Sequence, residues 1–124
     1  MSRVVAIDGP SASGKSTVAK AVAKKLGFMY VDSGAMYRGV TWLVLQSGLD
    51  CTDEDAVKSV IASAVWAFSQ GDGEVCYTLN GDDPGAAIRG EAVRENVSYV
   101  ARVPEVRTKI VEQIRHMELS LIHI

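Results

Sequence analysis

The chain has 124 residues, 48% of them hydrophobic and 23% charged, with a formal net charge of −2. That is the composition of an ordinary globular chain of one domain at most, and its near-neutral charge argues against a broad polyanion-binding surface, so no nucleic-acid partner is expected. No apolar run is long enough to cross a membrane, and Lys15 and the glycines around it fall where a signal peptide would need its apolar stretch, so no membrane partner and a cytoplasmic location are expected.

Val4-Val5-Ala6-Ile7 is a short, β-branched apolar run, as a buried parallel strand should be. Gly9-Pro10-Ser11-Ala12-Ser13-Gly14-Lys15-Ser16-Thr17 follows and reads G-x-x-x-x-G-K-S, the phosphate-binding loop pattern. A chance match somewhere in such a chain has a probability of roughly half a percent. Val18, Val22 and Leu26 then recur every four residues beside Ala19, Ala21 and Ala23, which is one helix face. Strand, glycine loop and helix are the setting this motif requires. Gly9 and Gly14 let the backbone approach a ligand, and the loop N–H groups turn inward at phosphate oxygens. The helix start adds unpaired N–H groups and the positive end of its dipole. Lys15 brings a mobile cation to the β- and γ-phosphates, and the Ser16 hydroxyl is the expected Mg²⁺ ligand. The competing reading is a Gly/Ser-rich strand-to-helix turn with no ligand.

Gly27 suits the stop of the first helix. Phe28-Met29-Tyr30-Val31 is a second apolar strand, closing a strand–helix–strand unit and predicting a parallel sheet. Asp32-Ser33-Gly34 stands at that strand's C-terminal end, where open α/β sheets place their ligands. A helix is predicted from Ala35 to about Gln46, with Met36, Val40, Trp42 and Leu43 available for its buried side. Thr52 is the expected cap of the next helix, with Asp55 at the capping-box position and Val57, Val60, Ile61 and Ala64 as its apolar face. The period then changes. Val65–Phe68 and Val75–Leu79 read as strands around Gln70-Gly71-Asp72-Gly73, and Asn80-Gly81 is a hairpin turn signal leading to a weaker third strand, Ala86-Ala87-Ile88. A small antiparallel sheet inserted into an α/β chain is therefore expected. Helix spacing returns at Val93, Val97 and Val100. Pro104 opens a final helix with Val106, Ile110, Ile114, Met117 and Leu121 on one side. Cys51 and Cys76 are isolated and read as a reduced pair of small buried residues. His116 and His123 are given no role.

These residues resemble a known family. Ile7-Asp8 with the glycine loop, followed by Tyr30-Val31-Asp32-Ser33-Gly34-Ala35-Met36-Tyr37-Arg38, is similar to bacterial cytidylate kinase, the N-terminal portion. Asn96-Val97-Ser98-Tyr99-Val100-Ala101 and Pro104-Glu105-Val106-Arg107 match in order and spacing, so the likeness runs from about Val4 to Arg115. The loop alone would specify only an NTP-binding superfamily, whereas the D-S-G-A-[IM]-Y-R segment is far more specific. The resemblance implies a P-loop NTPase fold with a nucleoside-monophosphate-kinase-like core, parallel strands and a small antiparallel insertion. It implies transfer of the γ-phosphoryl of ATP to CMP or dCMP with Mg²⁺, in a protein that is a monomer when full length.

By matching position, Ser33, Arg38, Ser98 and Arg107 would contact the acceptor nucleotide. Arg38 and Arg107 offer planar forks suited to phosphate, and Ser33 and Ser98 can bond a base edge or a phosphate. Pattern alone would make Arg107 a surface charge and would say nothing of Ser98. For Asp32 and Tyr37 an orienting or packing role stands beside direct contact. Lys15 and the loop amides are the expected transition-state stabilisers, because phosphoryl transfer asks for placement and charge neutralisation more than for covalent chemistry.

The division expected is a core start at 1–34, an acceptor-binding region at 35–103 with its β insert at about 65–90, and a helix at 104–124 returning to the core. The family continues beyond this end with a lid and later core strands, one of which lies between the first two in the sheet. The final Leu119–Ile124 departs from the family pattern and resembles translated adapter read-through, so a truncated chain with little activity alone is expected. Two other readings are a different P-loop small-molecule kinase and a non-catalytic nucleotide-binding module.

Overall fold

The structure is a computed structural model that describes residues 3–7, 21, 25, 28–70 and 75–122. The glycine loop, with Gly9, Pro10, Ser11, Ala12, Ser13, Gly14, Lys15, Ser16 and Thr17, lies outside the described residues, as does Gly27. Ala21 and Lys25 are helical. Strand β1 (Arg3–Ile7) pairs in parallel with β2 (Phe28–Asp32), in a register running from Arg3 opposite Phe28 to Ile7 opposite Asp32. The two strands are direct neighbours here, whereas the resemblance implies a later strand between them. No other described segment forms a strand that joins this sheet, so their backbone groups pair with each other.

Helix α1 (Ser33–Gln46) begins directly at the end of β2, because Asp32 serves both elements. It is the last residue of the strand and the helix N-cap, with its Oδ1 accepting from the Ala35 N–H at 3.1 Å. Met36, Val40, Leu43 and Val44 are buried, and Thr41 is accommodated among them by donating its hydroxyl to the Tyr37 carbonyl at 2.9 Å. Helix α2 (Glu54–Ser63) is capped by Asp53, whose carboxylate accepts from the Asp55 and Ala56 N–H groups. The expected cap, Thr52, is engaged elsewhere: its hydroxyl and N–H both donate to Asp50, at 2.7 and 2.9 Å. The cap passes one residue on, to a carboxylate that also suits the positive end of the helix.

Strands β3 (Trp66–Gln70) and β4 (Val75–Leu79) form an antiparallel hairpin from Trp66 opposite Leu79 to Gln70 opposite Val75. Its base is closed twice at 2.8 Å, by the Asn80 N–H on the Val65 carbonyl and by the Val65 N–H on Asn80 Oδ1. Asn80 and Gly81 both have positive φ, 52° and 84°, as a two-residue hairpin turn demands. Leu79 and Asp82 exchange both backbone bonds at 2.9 Å across that turn. The pairing ends there. The third strand expected at Ala86–Ile88 is instead a 3₁₀ turn, Gly85–Arg89, so the β insert stops short of residue 90. Pro84, in the helical region at φ −66°, starts it, and the Ala87 N–H donates to the Pro84 carbonyl at 3.0 Å.

Helices α3 (Glu91–Ala101) and α4 (Pro104–Ile122) complete the described chain. Val93 and Val100 of α3 are buried, as are Val106, Ile110 and Met117 of α4. Helix α1 is the hub, touching α2, α3, α4 and the 3₁₀ turn, while α4 also reaches β1. One apolar core thus runs from Val31 through α1 and α2 to Met117.

Candidate acceptor-binding site

The start of α1 collects the side chains that matter. Ser33, its first residue, is 5% exposed. With Tyr37 it forms one wall of a cavity of about 260 Å³, whose other wall is α4: Arg107, Ile110, Val111, Ile114 and Arg115. Two of the four residues expected to contact an acceptor, Ser33 and Arg107, therefore share a cavity, although 74 positions separate them in the chain. Its lining suits a flat, partly polar ligand: aliphatic side chains for a ring face, a hydroxyl, and two guanidiniums for an anion.

Arg38 is not in that lining. It leans back over the first turn of α1, its Nη2 3.6 Å from Asp32 Oδ2, with the two side chains 17% and 31% exposed. Gly34 leaves room for this, because a Cβ there would stand 3.1 Å from Asp32 Oδ1 and 3.3 Å from Arg38 Nη1, and one of them would have to shift slightly. Asp32 therefore has two tasks, capping the helix with one oxygen and holding Arg38 with the other. Ser98 is exposed on α3 and does not line the cavity. Lys15, Ser16 and the rest of the loop lie outside the described residues, so the donor side has no described geometry.

Two participants escaped the sequence reading. Arg115 has no local motif, yet it stands two helical turns beyond Arg107 with Val111 between them, so the three share one face of α4. Tyr77 comes from the antiparallel hairpin. Its hydroxyl donates to the Ala35 carbonyl at 2.6 Å, and its ring lies against Gly39. Trp66 packs beside it, ring centres 5.4 Å apart, and Phe68 stacks on Trp66 at 5.9 Å. Burial pushes the Tyr77 phenol above its ordinary range; Arg38 pulls it down, and Asp32 and Asp83 push it up. The phenol is thus in the field of the same ion pair that lies over Gly34.

A larger cavity, about 410 Å³, lies between α2 and α4. Its lining sets Lys58 and Lys109 against Glu105 and Glu112, with Lys58 3.5 Å from Glu105. A cationic ligand there would meet Lys58, and an anionic one would meet Glu105. Among the described residues, no three His, Cys, Asp or Glu side chains are grouped to hold a metal ion. Among them, too, no helix is long and apolar enough to cross a membrane.

A family model described as Cytidylate kinase matches residues 5–121. The chain is 49% identical over 113 residues to a cytidylate kinase of Lactiplantibacillus plantarum, covering 91% of this chain and 50% of that protein. It is 44% identical over 117 residues to a cytidylate kinase of Streptomyces avermitilis, covering 94% of this chain and 51% of that one. It is 46% identical over 110 residues to a bifunctional pantoate ligase/cytidylate kinase of Trichodesmium erythraeum, covering 89% of this chain and 21% of that longer protein. The chain spans about half the length of the first two relatives. A family match over nearly the whole chain, with identities of 44–49% to these relatives, establishes that the chain belongs to the cytidylate kinase family.

Proposed function

We propose that this chain carries the donor loop and much of the acceptor site of an enzyme that phosphorylates CMP and dCMP with ATP, giving CDP and dCDP. The observation that supports it best is the cavity shared by Ser33 and Arg107, two of the four residues that the family resemblance assigns to the acceptor. In this reading Gly9–Thr17 hold the ATP phosphates, Lys15 neutralises charge on the transferred group, and Ser16 ligates Mg²⁺. Bound Mg²⁺–ATP supplies the phosphoryl group and part of the charge that steadies its transfer. Arg107 and Arg38 hold the acceptor phosphate, while Ser33 and Ser98 bond the base edge or phosphate. In the same reading residues 1–34 form the start of the P-loop NTPase core, 35–103 most of the acceptor-binding region, and 104–124 a helix returning to the core.

The test is a chimera in which this chain replaces the matching segment of the Lactiplantibacillus plantarum relative. ATP-dependent turnover of CMP and dCMP is expected, with Arg107→Ala raising KM for CMP by roughly tenfold to a hundredfold, as loss of a charged hydrogen bond should. Turnover of AMP or shikimate but not CMP would favour a different P-loop kinase. ATP binding without any transfer would favour a non-catalytic nucleotide-binding module.

A further inference from the structure

We infer that Tyr77 is a positioning residue for the acceptor site: from the antiparallel hairpin it holds the first turn of α1, and through that turn it sets the Asp32–Arg38 pair. The inference rests on the reading of Arg38 as a phosphate-binding residue. Three contacts carry it. The Tyr77 hydroxyl donates to the Ala35 carbonyl at 2.6 Å, across 42 positions of chain. Ala35 is the residue whose N–H is capped by Asp32, so Tyr77 and Asp32 grip the same residue of the turn, one at its acceptor and one at its donor. The ring lies on Gly39, where an added Cβ would stand 2.9 Å from the ring carbons Cε2 and Cζ.

Gly39 directly follows Arg38, so the ring packs on the backbone that aims this side chain. Both ends of the Arg38 side chain are thereby fixed, the backbone by the ring and the guanidinium by Asp32 Oδ2. A preset guanidinium loses less freedom when it meets a phosphate, which is how a residue outside the cavity raises affinity. Tyr77 is itself anchored, being opposite Phe68 in the hairpin register and in contact with the Trp66 ring. The hairpin is therefore more than a surface ornament; its aromatic face delivers one hydroxyl to α1.

The experiment uses the 124-residue chain, labelled with ¹⁵N, as itself, Tyr77→Phe, Tyr77→Leu and Gly39→Ala. The Arg38 Nε–Hε signal and the amide exchange of the first turn of α1 are read, with α4 amides as the control for folding. Expected in Tyr77→Phe is a shifted, more mobile Arg38 signal and exchange at the first turn faster by roughly three- to tenfold, the reach of one hydrogen bond. Gly39→Ala, whose added Cβ crowds both the Tyr77 hydroxyl and its ring, should give the same signature. An Arg38 signal unmoved in all three variants overturns the inference. So does a loss of protection spread equally over α1 and α4, which would make Tyr77 a general stabiliser. CMP titrated into the unsubstituted chain should move the Arg38 signal, and by less in Tyr77→Phe at equal concentration. If the variants disturb Arg38 but CMP leaves it unmoved in the unsubstituted chain, the acceptor reading falls, and the purpose assigned to Tyr77 falls with it.

Discussion

Gly39 sits mid-helix, where glycine ordinarily costs about 0.5–1 kcal/mol relative to alanine. A Gly39→Ala change should therefore stabilise the chain if the space beside it were open. It is filled by the Tyr77 ring, and contacts near 2.9 Å decide the sign. The expected outcome is a loss of about 1–3 kcal/mol in urea unfolding, the usual cost of overpacking. Tyr77 makes a second prediction, about alkaline pH. Burial raises its phenol above the ordinary value of 10.0, so the folded chain keeps this proton longer than the unfolded one. Its contribution to stability is whole below pH 10 and is lost as the pH rises from there through the folded value. Cys51, raised above 9.0 by burial first and by Asp50 second, acts with the same sign from a lower pH. Unfolding free energy should fall above about pH 9, and Tyr77→Phe should flatten the part of that fall above pH 10. An identical slope in both chains would refute the assignment.

Each helix start can be judged by its cap. Asp53→Ala should cost about 1 kcal/mol by removing the carboxylate that accepts two N–H groups of α2. Thr52→Ala should cost less, since it removes only an exposed bond to Asp50. Thermal unfolding of the two variants compares them directly, and a larger loss at Thr52 would restore it as the cap. The sequence made these elements legible to different degrees. Where apolar spacing is regular, as in Val57–Val60–Ile61 or Val106–Ile110–Met117, both the helix and its buried side follow from the pattern, since only one face can leave water. The cap of α2 was misread because Thr52 and Asp53 are both good caps, and the choice depends on Asp50 capturing Thr52. Ala86–Ile88 was misread because three apolar residues fit a strand or a 3₁₀ turn equally well, and Pro84 decides. Tyr77 as a partner of Ala35 was invisible, for no local rule pairs residues 42 positions apart. Ser33 and Arg38 were legible through a family motif, whereas Arg115 becomes visible only once α4 is laid against α1.

The described molecule is one core of four helices with a hairpin on one side and a two-stranded parallel sheet at its start. Parallel strands are usually stable only inside wider, covered sheets, and among the described residues β1 and β2 pair only with each other. The 124-residue chain should show a low urea midpoint. Thiol labelling offers the sharpest reading, since Cys51 is buried in the helical core as expected whereas Cys76, also expected to be buried, is exposed on the hairpin. One equivalent should react at once. The second should follow at a rate set by opening of the core, and should quicken in parallel with the loss of folded signal in urea. Two immediate equivalents would mean that the α1–α2 core is already open in water. The doubled bond between Val65 and Asn80 has an evolutionary consequence as well. The peptide departs from and rejoins the body at nearly one point, so the whole projection behaves as an interchangeable cassette. Lineages could lengthen, retailor or discard it without moving the helices on either flank, provided that something else takes over its grip on the opening turn of α1.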